Sequence, residues 1–351
     1  MFMKMMKRAL ALLLCIVMVV GLVPATVFAA DGGGISAQAN DEPIYVLAGG
    51  DFQEAGDHAG SAENVRNILA QISKKYETMN GFLFVGDYDC ETHESDDNGQ
   101  TAAGINALMG AVQNSYSNIN DANSILVQGN HDIKDSRIDA TGGHDFDGYS
   151  VFVMNEDDYP DGGGTQTGVQ TLANNLKTWL NDKLGEGYDD PIFITSHLPL
   201  AFSPRTNVVG DGKYAKLIFD VLNTAAGEGL NIIFMHGHNH AYGNDNYLGG
   251  EAIYLPKDSK INIAELGSTT KWTEETLNFT YMNAGYVGYY NDWNYVTNEG
   301  TDKLTMTVFA INGSEITVER YSANGLYNLK SEGRNGRYVR GSEASADSLG
   351  L

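Results

Sequence analysis

Short apolar runs that stop at a glycine or a polar residue recur through the first two thirds of the chain. Ile44–Ala48, Phe82–Val85, Ile125–Val127, Tyr149–Met154, Pro191–Thr195 and Ile232–Met235 each have the length and apolar content of a strand. Between them the period changes. Ala62–Tyr76 carries Val65, Ile68, Leu69 and Ile72 at helical spacing behind Ser61, an expected N-cap. Ala102–Ser115, Leu172–Leu184 and Tyr214–Ala226 predict three further helices. Strands alternating with helices imply parallel pairing and an α/β sheet. Residues 135–148 carry neither period and read as loop, and Glu91–Gly99 and Glu156–Gly164 read as acidic loops.

Beyond residue 240 the pattern turns to strands. Ala252–Leu255, Ile261–Leu266, Leu277–Met282, Leu304–Ile311 and Glu315–Tyr321 all predict strands, and Asn312-Gly313 between the last two is a hairpin signal. This third of the chain is expected to build a second, largely antiparallel sheet. The fold expected is therefore α/β, with one domain over residues 43–325, a flexible linker over 31–42 and a polar, mobile tail over 326–351.

The first 30 residues change that picture only at its edge. Lys4, Lys7 and Arg8 precede the apolar run Ala9–Val23, and small residues follow at Val27-Phe28-Ala29. This is the layout of a secretory signal peptide cleaved after Ala29 or Ala30. The competing reading is a membrane anchor, against which stand the short run, Gly21 and Pro24. Export is expected to leave a secreted or wall-associated protein with no membrane span in its mature form.

The formal charge is −23, and removing three positive and no negative charges takes it to −26. Cleavage also removes Cys15 and leaves Cys90 alone, so no internal disulfide is expected. There is no basic stripe, and nucleic acid binding is not expected. A small phosphorylated substrate remains compatible, because fields are screened over about 8 Å at physiological salt. Oligomeric state is not legible.

Five strand ends carry polar groups: Asp51 with Gln53, Asp87, Asn130 with His131 and Asp132, His197, and His238 with His240. Parallel strands would gather these ends along one rim. Carboxylates, a carboxamide and imidazoles suit Mn, Fe, Zn or similar ions rather than Ca²⁺. The donors are too many for one tetrahedral ion and about right for two, with a carboxylate such as Asp87 as bridge. Such a pair generates hydroxide near neutral pH and clamps phosphate oxygens. His131 adjoins a proposed ligand and is suited to proton transfer near neutral pH.

Asp51-x-Gln53, Gly86-Asp87, Gly129-Asn130-His131-Asp132, His197 and Gly237-His238-x-His240 resemble, in order and in strand-end context, the motifs of the calcineurin-like metallophosphoesterases. The later strands, with Asn283-Ala284-Gly285, look like the second sheet of that family's sandwich, whose layers run α/β/β/α. The resemblance implies that Asp51, Gln53, Asp87 and His240 hold a first metal ion. It implies that Asp87, Asn130, His197 and His238 hold a second, with Asp87 bridging the two divalent or trivalent ions. It implies a phosphoric ester hydrolase acting on mono- or diesters, in which a metal-bridging hydroxide attacks phosphorus. His131 would act as general acid, and Asp132 would orient nearby groups.

Two positions depart from the family pattern. Position 53 is Gln where Asp-x-His is usual, and a carboxamide oxygen is a weaker donor than an imidazole. Position 90 is Cys where the family usually has Asp or Asn, or Tyr in its purple acid phosphatase branch, so a tyrosinate–iron centre is not expected. Asp89 or Cys90 is left to partner His131, and Cys90 is read as a buried thiol ahead of a soft ligand. These departures keep open an alternative, a metallophosphoesterase-like surface protein that binds a phosphorylated or glycan ligand with little or no turnover. A peptidase of the His-Glu-x-x-His type has no support in the sequence. His58, His93 and His144 read as solvent-facing, with His58 or His93 at a substrate entrance as the alternative. His236 reads as structural, and the tyrosines between 281 and 295 as packing.

Overall fold

The computed structural model describes residues 42–54, 60–89, 99–160, 164–200, 212–238, 254–268, 271–288 and 304–327. All belong to one compact unit, Asn40–Leu351. The expected signal peptide, most of the expected linker, Cys90, His58, His93, His240 and residues 328–351 lie outside the described residues. Among the described residues no helix is long and apolar enough to cross a membrane.

Fourteen strands and four α-helices make up the described chain. Strands β1 (Ile44–Gly49), β2 (Gly81–Phe84) and β3 (Ser124–Leu126) are followed by β4 (Gly142–Phe146), β5 (Tyr149–Met154), β6 (Ile192–Ser196) and β7 (Ile232–His236). Then come β8 (Tyr254–Leu255), β9 (Lys260–Ala264), β10 (Trp272–Thr276), β11 (Thr280–Asn283), β12 (Thr305–Asn312), β13 (Glu315–Ser322) and β14 (Gly325–Tyr327). The helices are α1 (Ser61–Ile72), α2 (Gly99–Ser115), α3 (Gln166–Glu186) and α4 (Ala215–Gly227).

Two six-stranded sheets form, ordered β14-β13-β12-β1-β2-β3 and β4-β5-β6-β7-β11-β8, beside a two-stranded β9-β10 ribbon. In the first sheet β1, β2 and β3 run parallel, and β12 to β14 continue it antiparallel. In the second, β5, β6, β7 and β11 run parallel between antiparallel edges β4 and β8.

The period-2 geometry of the strands explains the layering. Val46 and Ala48, Leu83 and Val85, Val151 and Val153, Phe193, Ile233 and Met235, Met282, and Phe309 with Ile311 all point into one cluster between the sheets. The intervening residues point outward. Leu47, Phe82, Phe84, Met306 and Val308 meet Val65, Ile68, Leu69 and Ile72 of α1 and Leu108 and Val112 of α2. Phe152, Met154, Ile192, Ile194, Ile232 and Phe234 meet Leu172, Leu176 and Leu180 of α3 and Ile218 and Leu222 of α4. Because both faces of the central strands are covered, their sequences read as continuous apolar runs. The result is the expected α/β sandwich in α/β/β/α layers.

The composition of each sheet corrects the sequence expectation. The later strands do not form a separate antiparallel sheet. β11 pairs parallel with β7, while β12 pairs antiparallel with β1, so each sheet mixes early and late strands. Strands β4 and β10 fall in stretches read as loop or left unassigned. Gly142–Phe146 has no apolar alternation and is a strand because it pairs with β5 across Asp147-Gly148. β14 likewise runs into the segment read as tail. Ser61 is not the N-cap of α1: that place falls to Gly60, and Glu54 Oε2 accepts the N–H of Ala62 at 2.6 Å. α1 stops at Ile72 instead of Tyr76, while Thr165 caps α3 and Gly187 closes it at φ 69°.

Candidate metal centre

The polar strand ends come together, but across two sheets instead of along one. Asp51 and Gln53 follow β1, Asp87 follows β2 and Asn130 follows β3, all in the first sheet. His197 and His238 follow β6 and β7 in the second. Backbone hydrogen bonds lock the turns to each other. Asp51 N–H donates to Gly86 O at 3.0 Å, Gln53 N–H to Asp87 O at 2.9 Å, and Gly237 N–H to His197 O at 3.0 Å.

The turns are tight enough to require special backbone. Five non-glycine residues have positive φ among the described residues, and four of them are Asp51 (53°), Gln53 (47°), Asp87 (58°) and His238 (66°). Side-chained residues in this region cost of order 1 kcal/mol or more each, and such strain gathers at functional sites. Gly129 is forced by proximity instead. A Cβ there would overlap Asp87 Oδ1 and the Asp87 backbone nitrogen.

Asp132 fixes these turns. Its Oδ2 accepts the N–H groups of Asp87 and Gly129, both at 2.8 Å, and its Oδ1 accepts Tyr88 N–H at 2.8 Å. Asp89 N–H approaches the same Oδ1 at 3.4 Å. Both oxygens are thus engaged by backbone N–H groups, the placement of a carboxylate that orients the Asp87 and Gly129 turns. Burial and the charge of Asp87 push its carboxyl up to about 7 against the pull of these donors.

Four donor atoms converge at the centre. His197 Nε2 lies 3.2 Å from Asp87 Oδ1, 3.0 Å from Asn130 Oδ1 and 3.3 Å from His238 Nδ1. His238 Nδ1 lies 2.9 Å from Asn130 Oδ1. His197 Nδ1 is 2.7 Å from Val85 O and must donate its proton there. In the neutral ring, Nε2 therefore turns a lone pair towards the oxygens of Asp87 and Asn130. That arrangement is stable only around positive charge.

The electrostatics agree. Burial opposes a charge on His197, but Asp87 outweighs it and raises the imidazole to about 10. Burial pushes Asp87 up, yet His197 and His131 hold it well below the usual carboxylate range. A proton on His197 does there what a metal cation would do. The spacing fits a metal as well: bonds of about 2.0–2.1 Å hold neighbouring ligands roughly 2.9–3.4 Å apart in octahedral or tetrahedral geometry. Asp51, Asp87 and His197 also offer ligand atoms within 4.8 Å of one another. The residues fit a metal ion, with His197 held through its other nitrogen by a backbone carbonyl, as metal-binding imidazoles are.

The remaining residues take distinct places. Asp51 is fully buried and its Oδ1 accepts His238 N–H at 2.9 Å. Gln53, 1% exposed, donates from Nε2 to Asp87 Oδ2 at 3.2 Å. His131 is half-buried at the edge, its N–H donating to Asp87 Oδ1 at 3.1 Å. Its buried Nδ1 has no hydrogen-bond partner among the described residues. His240, expected as a ligand, and Cys90, with Asp89 one of two candidate partners of His131, lie outside the described residues.

His236 is structural. Burial lowers it to about 3, its Nδ1 lies 2.9 Å from Gly237 O, and its ring packs on Tyr281. Tyr281 itself stacks on Phe234 inside the core. His144 is exposed. The sequence reading missed Val85, whose carbonyl sets the His197 tautomer. No side-chain signal marks a backbone acceptor.

No protein-family model matches the chain. No curated protein matches it. Solved structures similar to it include the purple acid phosphatase PPD1 of yellow lupin (Lupinus luteus), at 11% identity and a TM-score of 0.44, with 82% of this chain and 53% of that chain covered. They also include GAP50, the anchor in the inner membrane complex of Plasmodium, at 10% identity and a TM-score of 0.43, with 84% of this chain and 91% of that chain covered. This chain spans about half the length of the lupin protein.

Proposed function

We propose that this protein is an exported, metal-dependent phosphoric ester hydrolase. The observation that carries the metal is the convergence of Asp87 Oδ1, Asn130 Oδ1, His197 Nε2 and His238 Nδ1 around one point, with the His197 tautomer fixed by Val85. The reaction class rests on the order of the motifs, Asp51-x-Gln53, Gly86-Asp87, Gly129-Asn130-His131-Asp132, His197 and Gly237-His238-x-His240.

Asp87 faces the Asn130 group with Oδ1 and Gln53 with Oδ2, the placement of a carboxylate shared between two positions. Bound ions would supply a hydroxide nucleophile near neutral pH and neutralise phosphate oxygens. The chain's own part is to hold the donors rigidly. Strained turns, Asp132 and the buried sheet ends leave little for a bound phosphate ester to reorganise. His131, half-buried and adjacent to Asp87, is placed to give a proton to a leaving oxygen.

A second reading has a specific observation behind it. Gln53 turns an N–H, not a lone pair, to Asp87, which would weaken a second metal position. A surface protein that binds a phosphorylated or glycan ligand without turnover would tolerate that. Assaying metals in the purified protein, alongside hydrolysis of a phosphomonoester and a phosphodiester with and without chelator, separates the two. Metal-dependent hydrolysis supports the enzyme. Retained metal with no hydrolysis under any divalent ion supports the binder.

A further inference from the structure

Asp87 divides its two oxygens between different neighbours. Oδ1 belongs to the Asn130, His197 and His238 group and also accepts the N–H of His131. Oδ2 faces Gln53, whose Nε2 donates to it at 3.2 Å. Gln53 is held beside Asp87: it is 1% exposed, sits at φ 47°, and its backbone N–H is bonded to Asp87 O at 2.9 Å. An amide N–H aimed at a carboxylate oxygen lies on the line along which that oxygen would meet a cation. The amide nitrogen has no lone pair to offer a metal.

Resting on the metal reading above, we propose that Gln53 is a positioning donor to Asp87 instead of a ligand, and that the chain holds one divalent cation tightly and a second weakly. The tight position is Asp87, Asn130, His197 and His238. The weak position lies on the Asp51 side, where a carboxylate is buried but Gln53 brings a neutral carboxamide and no imidazole. The consequence is a centre whose second ion depends on the concentration of free metal, so that occupancy can be set by the surroundings of an exported protein.

The test is a Mn²⁺ titration of the purified full-length protein by calorimetry and equilibrium dialysis, with electron paramagnetic resonance as a second readout. The wild type is expected to bind one equivalent tightly and a second at least about 10-fold more weakly, the scale on which groups around a metal tune its affinity. Substoichiometric Mn²⁺ should give the spectrum of an isolated ion. Gln53→His replaces the donor with a ligand and should bring the second ion to within a few-fold of the first, with the spectrum of an exchange-coupled pair. Gln53→Glu should shift the second affinity in the same direction, and decides the matter if the histidine variant does not fold. Two equally tight ions in the wild type overturn this inference alone, as does a folded substitution that leaves the second affinity unchanged. A wild type that binds no Mn²⁺ overturns the metal reading itself, and this inference with it.

Discussion

His197 points Nδ1 at the carbonyl oxygen of Val85, 2.7 Å away, and that contact decides the chemistry of its other nitrogen. Val85 follows β2 and His197 follows β6, so the bond joins the two sheets at the point where their ends meet. It leaves Nε2 facing Asp87 and Asn130 as an acceptor among acceptors, the condition under which a cation is bound. Replacing His197 with Gln, which cannot satisfy both sides, should lower metal content by 10-fold or more. Metal analysis after dialysis checks this, and full retention of metal would remove His197 from the ligand set.

Gly129→Ala tests the closeness of the turns. Its added methyl would collide with Asp87 Oδ1 and the backbone nitrogen of Asp87. Neither can retreat, since Asp87 is fully buried and its N–H is held by Asp132. Overpacking of this kind costs about 1–3 kcal/mol. Thermal unfolding should show a lower Tm, and the purified variant should contain less metal than the wild type. An unchanged Tm and metal content would mean that the turns yield more easily than the packing implies.

Asp132→Asn leaves one oxygen to serve donors that now share two. A buried N–H left without an acceptor costs about 1–3 kcal/mol, so the loss should reach about 2 kcal/mol in urea unfolding. Because Asp132 positions the Asp87 turn and does not face the donor cluster, excess metal should restore part of the activity. A variant with wild-type stability and no turnover would assign Asp132 to the chemistry instead.

His131→Ala separates chemistry from binding. Its backbone N–H, which reaches Asp87, survives the substitution, and its side chain contributes to none of the four converging contacts. Metal content should stay near normal while turnover falls by about 10²–10⁴-fold, the usual scale of a lost general acid. Loss of metal with little loss of rate at saturating metal would contradict this role.

The outer face of the first sheet gives a pH dependence unrelated to the metal. Glu319 accepts hydrogen bonds from Tyr76 at 2.8 Å and Tyr321 at 2.7 Å, and pairs with Lys75. Burial pushes its carboxyl up, but Lys75 and the two phenols outweigh this and hold it below the usual range. A lowered folded value means that its stabilisation is complete above about pH 4.3 and is lost as pH falls through the folded value. Lys75 is 55% exposed, so the contribution is about 1 kcal/mol or less. Glu319→Gln should therefore lower Tm slightly at neutral pH, and the difference from wild type should shrink as the pH falls through the acid range. A constant difference would mean that the charge plays no part.

Much of this fold was legible because buried parallel strands leave a plain signature. Ile44–Ala48, Phe82–Val85, Tyr149–Met154 and Ile232–Met235 all fall on strands of the predicted type. Which sheet each joined was not legible. A strand apolar on both faces does not announce its neighbours, so β11 beside β7 and β12 beside β1 are products of tertiary packing. β4 and β10 were missed for the opposite reason: His144 and Glu274 sit in strands made by pairing, not by apolar content. At the site, Asp51, Asp87, Asn130, His197 and His238 were visible as polar groups ending apolar runs. The left-handed backbone of Asp51, Gln53 and Asp87, the carbonyl of Val85 and the full engagement of Asp132 were not, because they arise only when the turns close on one another.

The central claim is that the converging donors hold metal and that the metal-loaded centre hydrolyses phosphate esters. The most direct measurement is the rate of p-nitrophenyl phosphate and bis-p-nitrophenyl phosphate hydrolysis by the purified protein. It is taken after chelation, after reloading with Mn²⁺ or Zn²⁺, and for Asn130→Ala under the same conditions. Hydrolysis of at least one ester that disappears with chelator, returns with metal and falls by orders of magnitude in Asn130→Ala is the expected result. Metal-loaded protein that hydrolyses neither ester, or hydrolysis untouched by chelator and by Asn130→Ala, would contradict it.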